Sequence, residues 1–300
     1  MTDFRLDPVG VWTFDLEQIP SARAKEVAAE LEELGYGAIW LPEVAGRDPF
    51  VHLTMLLSAT SRIVGATGIA SIYARDAVTM NEAAQALTEA FPERFLLGLG
   101  VSHHNIVEGV RKLTYDKPYS HMREYLDLLD AAPYSGARPT TPVRRVLAAL
   151  GPKMLQLAAE RTDGAHPYFV PPEHTAEARE IVGPDALLCV EQMVLLDTDP
   201  TTARETARPT MARYGSLPNY KNNLLRHGFT EDDFVDGFSD RLIDSIIAWG
   251  TVDDCAKRVQ AHFDAGADHV CIQVLGAAKR DVPLAQWREL APAMTSLKPS

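Results

Sequence analysis

Apolar residues recur along this chain in two alternating patterns, short continuous runs and stretches spaced by three or four, which are the periods of buried strands and one-sided helices. Residues 8–14 (PVGVWTF) read as a first strand. Pro20 and Ser21 then open a helix on which Ala24, Val27, Ala28, Leu31 and Leu34 share one face before Gly35 closes it. YGAIWLP at 36–42 is a second strand, and Asp48 and Pro49 supply the cap and first position of a helix running through Leu57. RIVGATGIA at 62–70 is a third strand, Asp76 starts a helix with a Met80, Ala83, Ala84, Leu87 stripe, and FLLGLGV at 95–101 is a fourth strand.

The second half keeps the rhythm less evenly. HMREYLDLLDAA at 121–132 is helical, VRRVLAAL at 143–150 is a fifth strand, and a proline-started helix follows Gly151. GAHPYF at 164–169 and ALLCVEQMVLL at 186–196 give the sixth and seventh strands, and HVCIQVL at 269–275 gives the eighth after the helical segment 251–266. Between the last two strands lies an excursion at 201–248, with helical fragments around 201–214 and 239–248, which is too long for an ordinary loop and suits a cover for a site. Eight strand-helix units of this kind predict an α/β protein, a (β/α)8 TIM barrel forming a single domain over 1–300 with a long excursion before the last strand. An open doubly wound sheet is the alternative, but LGLGVSHHN lacks the third glycine of a dinucleotide loop.

Composition narrows the partners. With 29 Lys plus Arg against 41 Asp plus Glu the net charge is -12, and no basic patch offers a surface for nucleic acid. No long apolar span or basic leader points to a membrane, so a cytoplasmic location is expected. Cys189, Cys255 and Cys271 lack metal-ligand spacing and read as core thiols, and no metal is expected.

In a parallel barrel the chemistry sits at the carboxyl ends of the strands. Trp12, Glu43, Gly68 to Ser71, Ser102, His103, His104, Gly151, His166 and Tyr168 all fall there. Glu43 either holds a cofactor or substrate hydroxyl or pairs with Arg47 or Arg75. Trp12 walls a flat ring or closes the core, and the glycines of GATGIA let a planar ligand approach the backbone. Of the adjacent histidines one is expected in the pocket and the other outside, with His103 the first choice for proton handling. Gly151, Pro152, Lys153 and Met154 form a strand-to-helix junction able to hold a phosphate, and His166 and Tyr168 line the next wall. No GxSxG, HExxH or GxxxxGK[ST] device occurs.

The order and wording of AIWLPEVAGRDPF, LLSATSRIVGATGIASIYARDA, EAFPERFLLGLGVSHH, GPKMLQLAAERTDGAHPY and GTVDDCAKRVQAHFDAGADHVCIQVL resemble the bacterial luciferase-like monooxygenase superfamily, especially its deazaflavin-dependent oxidoreductase branch. The resemblance spans residues 8–276. It implies a homodimeric barrel that binds coenzyme F-420 (an 8-hydroxy-5-deazaflavin), or alternatively FMN, and acts on a small organic substrate. It implies further that Trp12, Glu43, Thr67, Gly68, Ile69, Ser102, His103, Gly151, Pro152, Lys153, Met154 and His166 surround the cofactor, that a bulge in GATGI, often with a cis bond, backs the ring, and that His103 and Glu43 serve catalysis. Reduced-FMN-dependent monooxygenation and noncatalytic flavin or deazaflavin binding are the alternative functions. One departure stands out: several such relatives carry an acidic residue followed by His at the second strand end, whereas here Glu43 precedes Val44, so the imidazole's role falls to His103, or else to His52 or His104, or to substrate-assisted chemistry.

Overall fold

The computed structural model describes residues 4–276 and 281–299. Ten parallel strands occur among them: β1 (Val9–Trp12), β2 (Ala38–Leu41), β3 (Val64–Thr67), β4 (Ala70–Ser71), β5 (Phe95–Gly100), β6 (Arg144–Leu147), β7 (Gly164–Ala165), β8 (Leu187–Leu196), β9 (Ile247–Gly250) and β10 (His269–Val274). The sheet runs β1-β2-β3-β5-β6-β7-β8, and β10 pairs with both β8 and β1, closing an eight-stranded barrel with helices between its strands.

Burial explains the closure. Along each strand alternate residues join two separate apolar clusters. Ile39, Leu41, Leu97, Leu99 and Leu147 pack outward with helical residues such as Val27, Leu31, Leu53 and Met80. Ala38, Trp40, Val64, Ala66, Leu96 and Val146 fill the interior. Helix starts are fixed locally. The Asp48 carboxylate accepts from Phe50 and Val51 N–H, and Asp76 does the same for Val78 and Thr79, each cap contributing about 1 kcal/mol.

Two expectations need correction. The run 62–70 is not one strand but β3 and β4, separated at a cis peptide between Gly68 and Ile69. The helical fragment expected over 239–248 ends at Ile246, and Ile247–Gly250 form β9 beside Met193–Leu196. The reason is length: β8 has ten residues while β7 pairs with only Leu187 and Leu188, so the far half of that edge is free for β9. The excursion otherwise carries helices Pro200–Tyr214, Pro218–Arg226 and Asp240–Ile246. Among the described residues no helix is long and apolar enough to cross a membrane, and no cluster of three or more His, Cys, Asp or Glu could hold a metal ion.

Candidate active site

A cavity of about 280 Å³ lies at the carboxyl ends of the strands. Trp12, Glu43, Val44, Gly68, Ile69, Ser102, His103, Gly151, Met154, His166 and Tyr168 line it from the barrel, and Tyr214, Asn219 and Tyr220 from the excursion. Among the described residues no lysine or arginine lines it.

The back wall is built around Gly68. Trp12 Nε1 donates to the Gly68 carbonyl at 3.0 Å, and a Cβ on residue 68 would sit 2.6 Å from that same nitrogen, so only glycine admits this approach. Thr67 is fully buried behind the wall. Its hydroxyl donates to Gly98 O at 2.7 Å and accepts from Gly98 N–H at 2.8 Å, so it offers the cavity nothing, contrary to its expected place in a binding set.

The histidines separate by environment. His103 faces the cavity, hydrogen-bonds to Asn219 and lies 5.5 Å from the Tyr220 ring. Burial draws its pKa below the usual imidazole value, partly offset by Asn219, so the neutral ring is favoured. His104 points outward and pairs with Glu108 at 3.0 Å. His52 is buried off the cavity, beside Arg47, where desolvation and that cation push its pKa down to about 4. Neither offers a proton at the cavity wall.

His166 stacks on Trp40 with ring centroids 4.3 Å apart. Its Nδ1 lies 2.8 Å from the Cys189 carbonyl, which can only accept, so Nδ1 carries the proton and Nε2 is left as an acceptor. Burial pushes its pKa down to about 4. Nε2 has no partner, and it lies 3.4 Å from where a Cβ on Gly68 would be. A buried acceptor without a donor at a cavity wall is completed by a ligand or by water.

Glu43 lines the cavity, but its charge is matched from behind. Arg75 donates to both oxygens at 2.9 and 2.6 Å, Ser71 N–H donates at 2.8 Å, and Arg111 stands 3.5 Å away. Of its possible partners Arg75 holds it, while Arg47 is drawn to the Leu16 and Ile19 carbonyls. A carboxylate so engaged forms a charged part of the wall, with Arg75 as the partner that the sequence offered.

At the opposite end, helix Pro152–Arg161 starts at the cavity edge without a side-chain cap, and nothing lies within 4 Å of a Cβ built on Gly151. An open helix start of this kind suits a phosphate. Gly151 and Met154 line the cavity, whereas Pro152 and Lys153 are exposed and do not, because successive helical residues turn about 100° away from each other.

Sequence reasoning missed Phe14, Tyr214, Asn219, Tyr220 and Glu191. Phe14 and Tyr214 end a strand run and a helical fragment without any mark of a cavity, and Asn219 and Tyr220 lie in a stretch with no readable period. Glu191 did leave a signal, a lone carboxylate inside the apolar run ALLCVEQMVLL. It is 1% exposed, accepts from Phe169 N–H at 3.1 Å through Oε2 and leaves Oε1 unpartnered. Desolvation pushes its pKa up to about 8, so near neutrality it is mainly an uncharged acid.

Comparison with known proteins shows the family and the fold. A family model described as luciferase-like monooxygenase matches residues 6–269. A putative coenzyme F-420-dependent oxidoreductase of Mycobacterium tuberculosis is 25% identical, covering 87% of this chain and 93% of the relative. Among solved structures, an F-420-dependent secondary alcohol dehydrogenase in complex with an F-420-acetone adduct superposes with a TM-score of 0.73 at 15% identity, over 97% of this chain and 99% of the other. The oxygenating constituent of 3,6-diketocamphane monooxygenase from Pseudomonas putida, in complex with FMN, superposes with a TM-score of 0.68 at 14% identity, over 98% and 100%. At such identities the structural likeness speaks for the fold alone.

Proposed function

The chain belongs to the luciferase-like monooxygenase family, and from that premise we propose that it is a coenzyme F-420-dependent oxidoreductase, moving a hydride to or from a small organic substrate at the mouth of the barrel. The observation that carries this reading is the unpaired His166 Nε2 in the same cavity as the uncapped helix start at Gly151. One asks for a hydrogen-bond donor on a buried ring, the other for an anion, and a deazaflavin with its phosphate has both. When bound, the deazaflavin supplies the hydride chemistry.

The residues around it divide the remaining work. Trp12, Gly68 and Ile69 would hold the ring, and Gly151 and Met154 the phosphate. Tyr168, Tyr214 and Tyr220 exclude water from the reacting region. His103, kept neutral by burial and steadied by Asn219, takes or gives the proton at the reacting carbonyl or carbon-carbon bond. Among the described residues no cationic side chain lines the cavity, which favours an uncharged substrate.

Anaerobic titration of the apoprotein with F-420 and with FMN, in both redox forms, tests the reading. Selective F-420 binding supports it, selective FMN binding replaces it with oxygen-coupled chemistry, and binding of neither ends it. Tight F-420 binding without turnover of any uncharged carbonyl or enone would make the protein a carrier. His103→Asn should lower kcat by about 10²-fold or more with cofactor affinity nearly unchanged. Undiminished turnover of a confirmed substrate would remove His103 from the chemistry.

A further inference from the structure

The chain that carries His166 and Tyr168 into the cavity is held by few ladder bonds. β7 ends at Ala165, and the next four residues leave regular structure, with His166 and Tyr168 lining the cavity. Phe169 adopts the left-handed backbone region at φ 61°, which an L-residue other than glycine enters only at a cost. Something must hold this turn in place.

The contacts that do so converge on one edge of β8, around Cys189 and Glu191. The Cys189 carbonyl fixes the His166 ring through Nδ1. Two residues on, and therefore on the same side of the strand, Glu191 holds the turn twice: its N–H donates to the Pro167 carbonyl at 3.0 Å, and its Oε2 accepts from Phe169 N–H at 3.1 Å. Tyr168 is anchored separately, donating from its hydroxyl to Gln273 Oε1 at 2.8 Å.

We propose that Glu191 is a positioning residue of the cavity: its buried carboxyl group clips the 166–169 turn to β8 and so sets how His166 and Tyr168 face a bound tricyclic cofactor. The proposal rests on reading the cavity as a cofactor site. The titratable groups facing Glu191 are Tyr168 after β7, Tyr214 and Tyr220 from the excursion helices, and Cys271 on β10. All four are held neutral by burial, and no ion pair reaches Glu191 among the described residues. An uncharged acceptor is therefore sufficient, and a side chain of equal length with an amide oxygen should replace it.

The test compares wild type with Glu191→Gln, which keeps the acceptor, and Glu191→Met, which keeps the length and loses it. Amide hydrogen exchange at Phe169 is followed without cofactor, and dissociation constants for F-420 and FMN are measured separately. Phe169 should exchange slowly in wild type and Glu191→Gln and about tenfold faster in Glu191→Met, with affinity for the bound cofactor about tenfold weaker in Glu191→Met alone. Equal protection and equal affinity in Glu191→Met would overturn the clip. So would rapid exchange of Phe169 in wild type, a result that does not depend on any variant folding. If neither F-420 nor FMN binds wild type while Phe169 protection still follows the acceptor, the clip stands and the cofactor reading falls.

Discussion

Glu43 and Glu191 are two carboxyl groups in one barrel, one beyond β2 and the other within β8, and their surroundings treat them in opposite ways. Glu43 meets two arginines and a backbone amide, so its charge is balanced on the side away from the cavity. Glu191 meets one amide and a ring of tyrosines, so burial is relieved by keeping the proton. A buried acid can be accommodated by pairing or by neutralisation, and the choice is made by what neighbouring strands and loops bring to it. On the Glu43 side this produces a rigid charged wall. On the Glu191 side it leaves unpartnered polar atoms, Glu191 Oε1 with its proton and the acceptor His166 Nε2, of which the latter stands at the cavity wall for a ligand to complete.

The largest effect should come from breaking the paired side. Arg75 is buried between Glu43 and Asp48, and Arg75→Met strands the Glu43 charge, so thermal or denaturant unfolding should register a loss of about 3–5 kcal/mol. A loss below about 1 kcal/mol would mean that Arg111 alone balances Glu43.

A smaller, pH-dependent effect belongs to the other side. Glu191 has a folded-state pKa raised from 4.5 to about 8, so the folded protein holds a proton that the unfolded chain has released. Its contribution therefore erodes stability as pH rises from about 4.5 to 8 and then levels off. Glu191→Gln lacks this term, and its stability relative to wild type should improve by about 2–4 kcal/mol between pH 5 and pH 8. A gap that stays constant with pH would show Glu191 ionised, and the contrast with Glu43 would vanish. The smallest effect is expected at His166→Phe, which keeps a ring on Trp40 and deletes Nε2: affinity for F-420 or FMN should fall about tenfold. Undiminished affinity would mean that the unpaired acceptor is served by water.

The same contrast marks what the sequence reveals. All eight barrel strands fall within mainly apolar runs, because strands buried on both faces are dominated by apolar residues, with exceptions such as Arg144 and Arg145 in β6 and Glu191 in β8. The strands β4 and β9 do not, since two to four residues beside a bend or a helix end have no period to read. Cavity positions at strand ends, such as Trp12, Gly68, His103 and His166, follow from barrel geometry alone. What escapes is pairing across distance. Arg75 is one of two arginines in reach of Glu43 by sequence, and only the chain path through β4 selects it. Lys153 was expected at the anion end because it follows Gly151 closely, but a helix rotates neighbours apart, and the lysine faces outward. Glu191 and the excursion tyrosines meet only once helices between β8 and β10 fold back over the mouth.

The seam between β1 and β10 carries one more consequence. Val9, Gly10 and Val11 take their second row of partners from Val270, Cys271 and Ile272, more than 250 positions later. During synthesis the edge of β1 that faces β10 therefore has no partner until residues 269–274 leave the ribosome. The strand that carries Trp12, and with it the back wall at Gly68, gains its second neighbour only with β10. A chain released before residue 274 would possess nearly every wall residue, yet its barrel would remain unsealed.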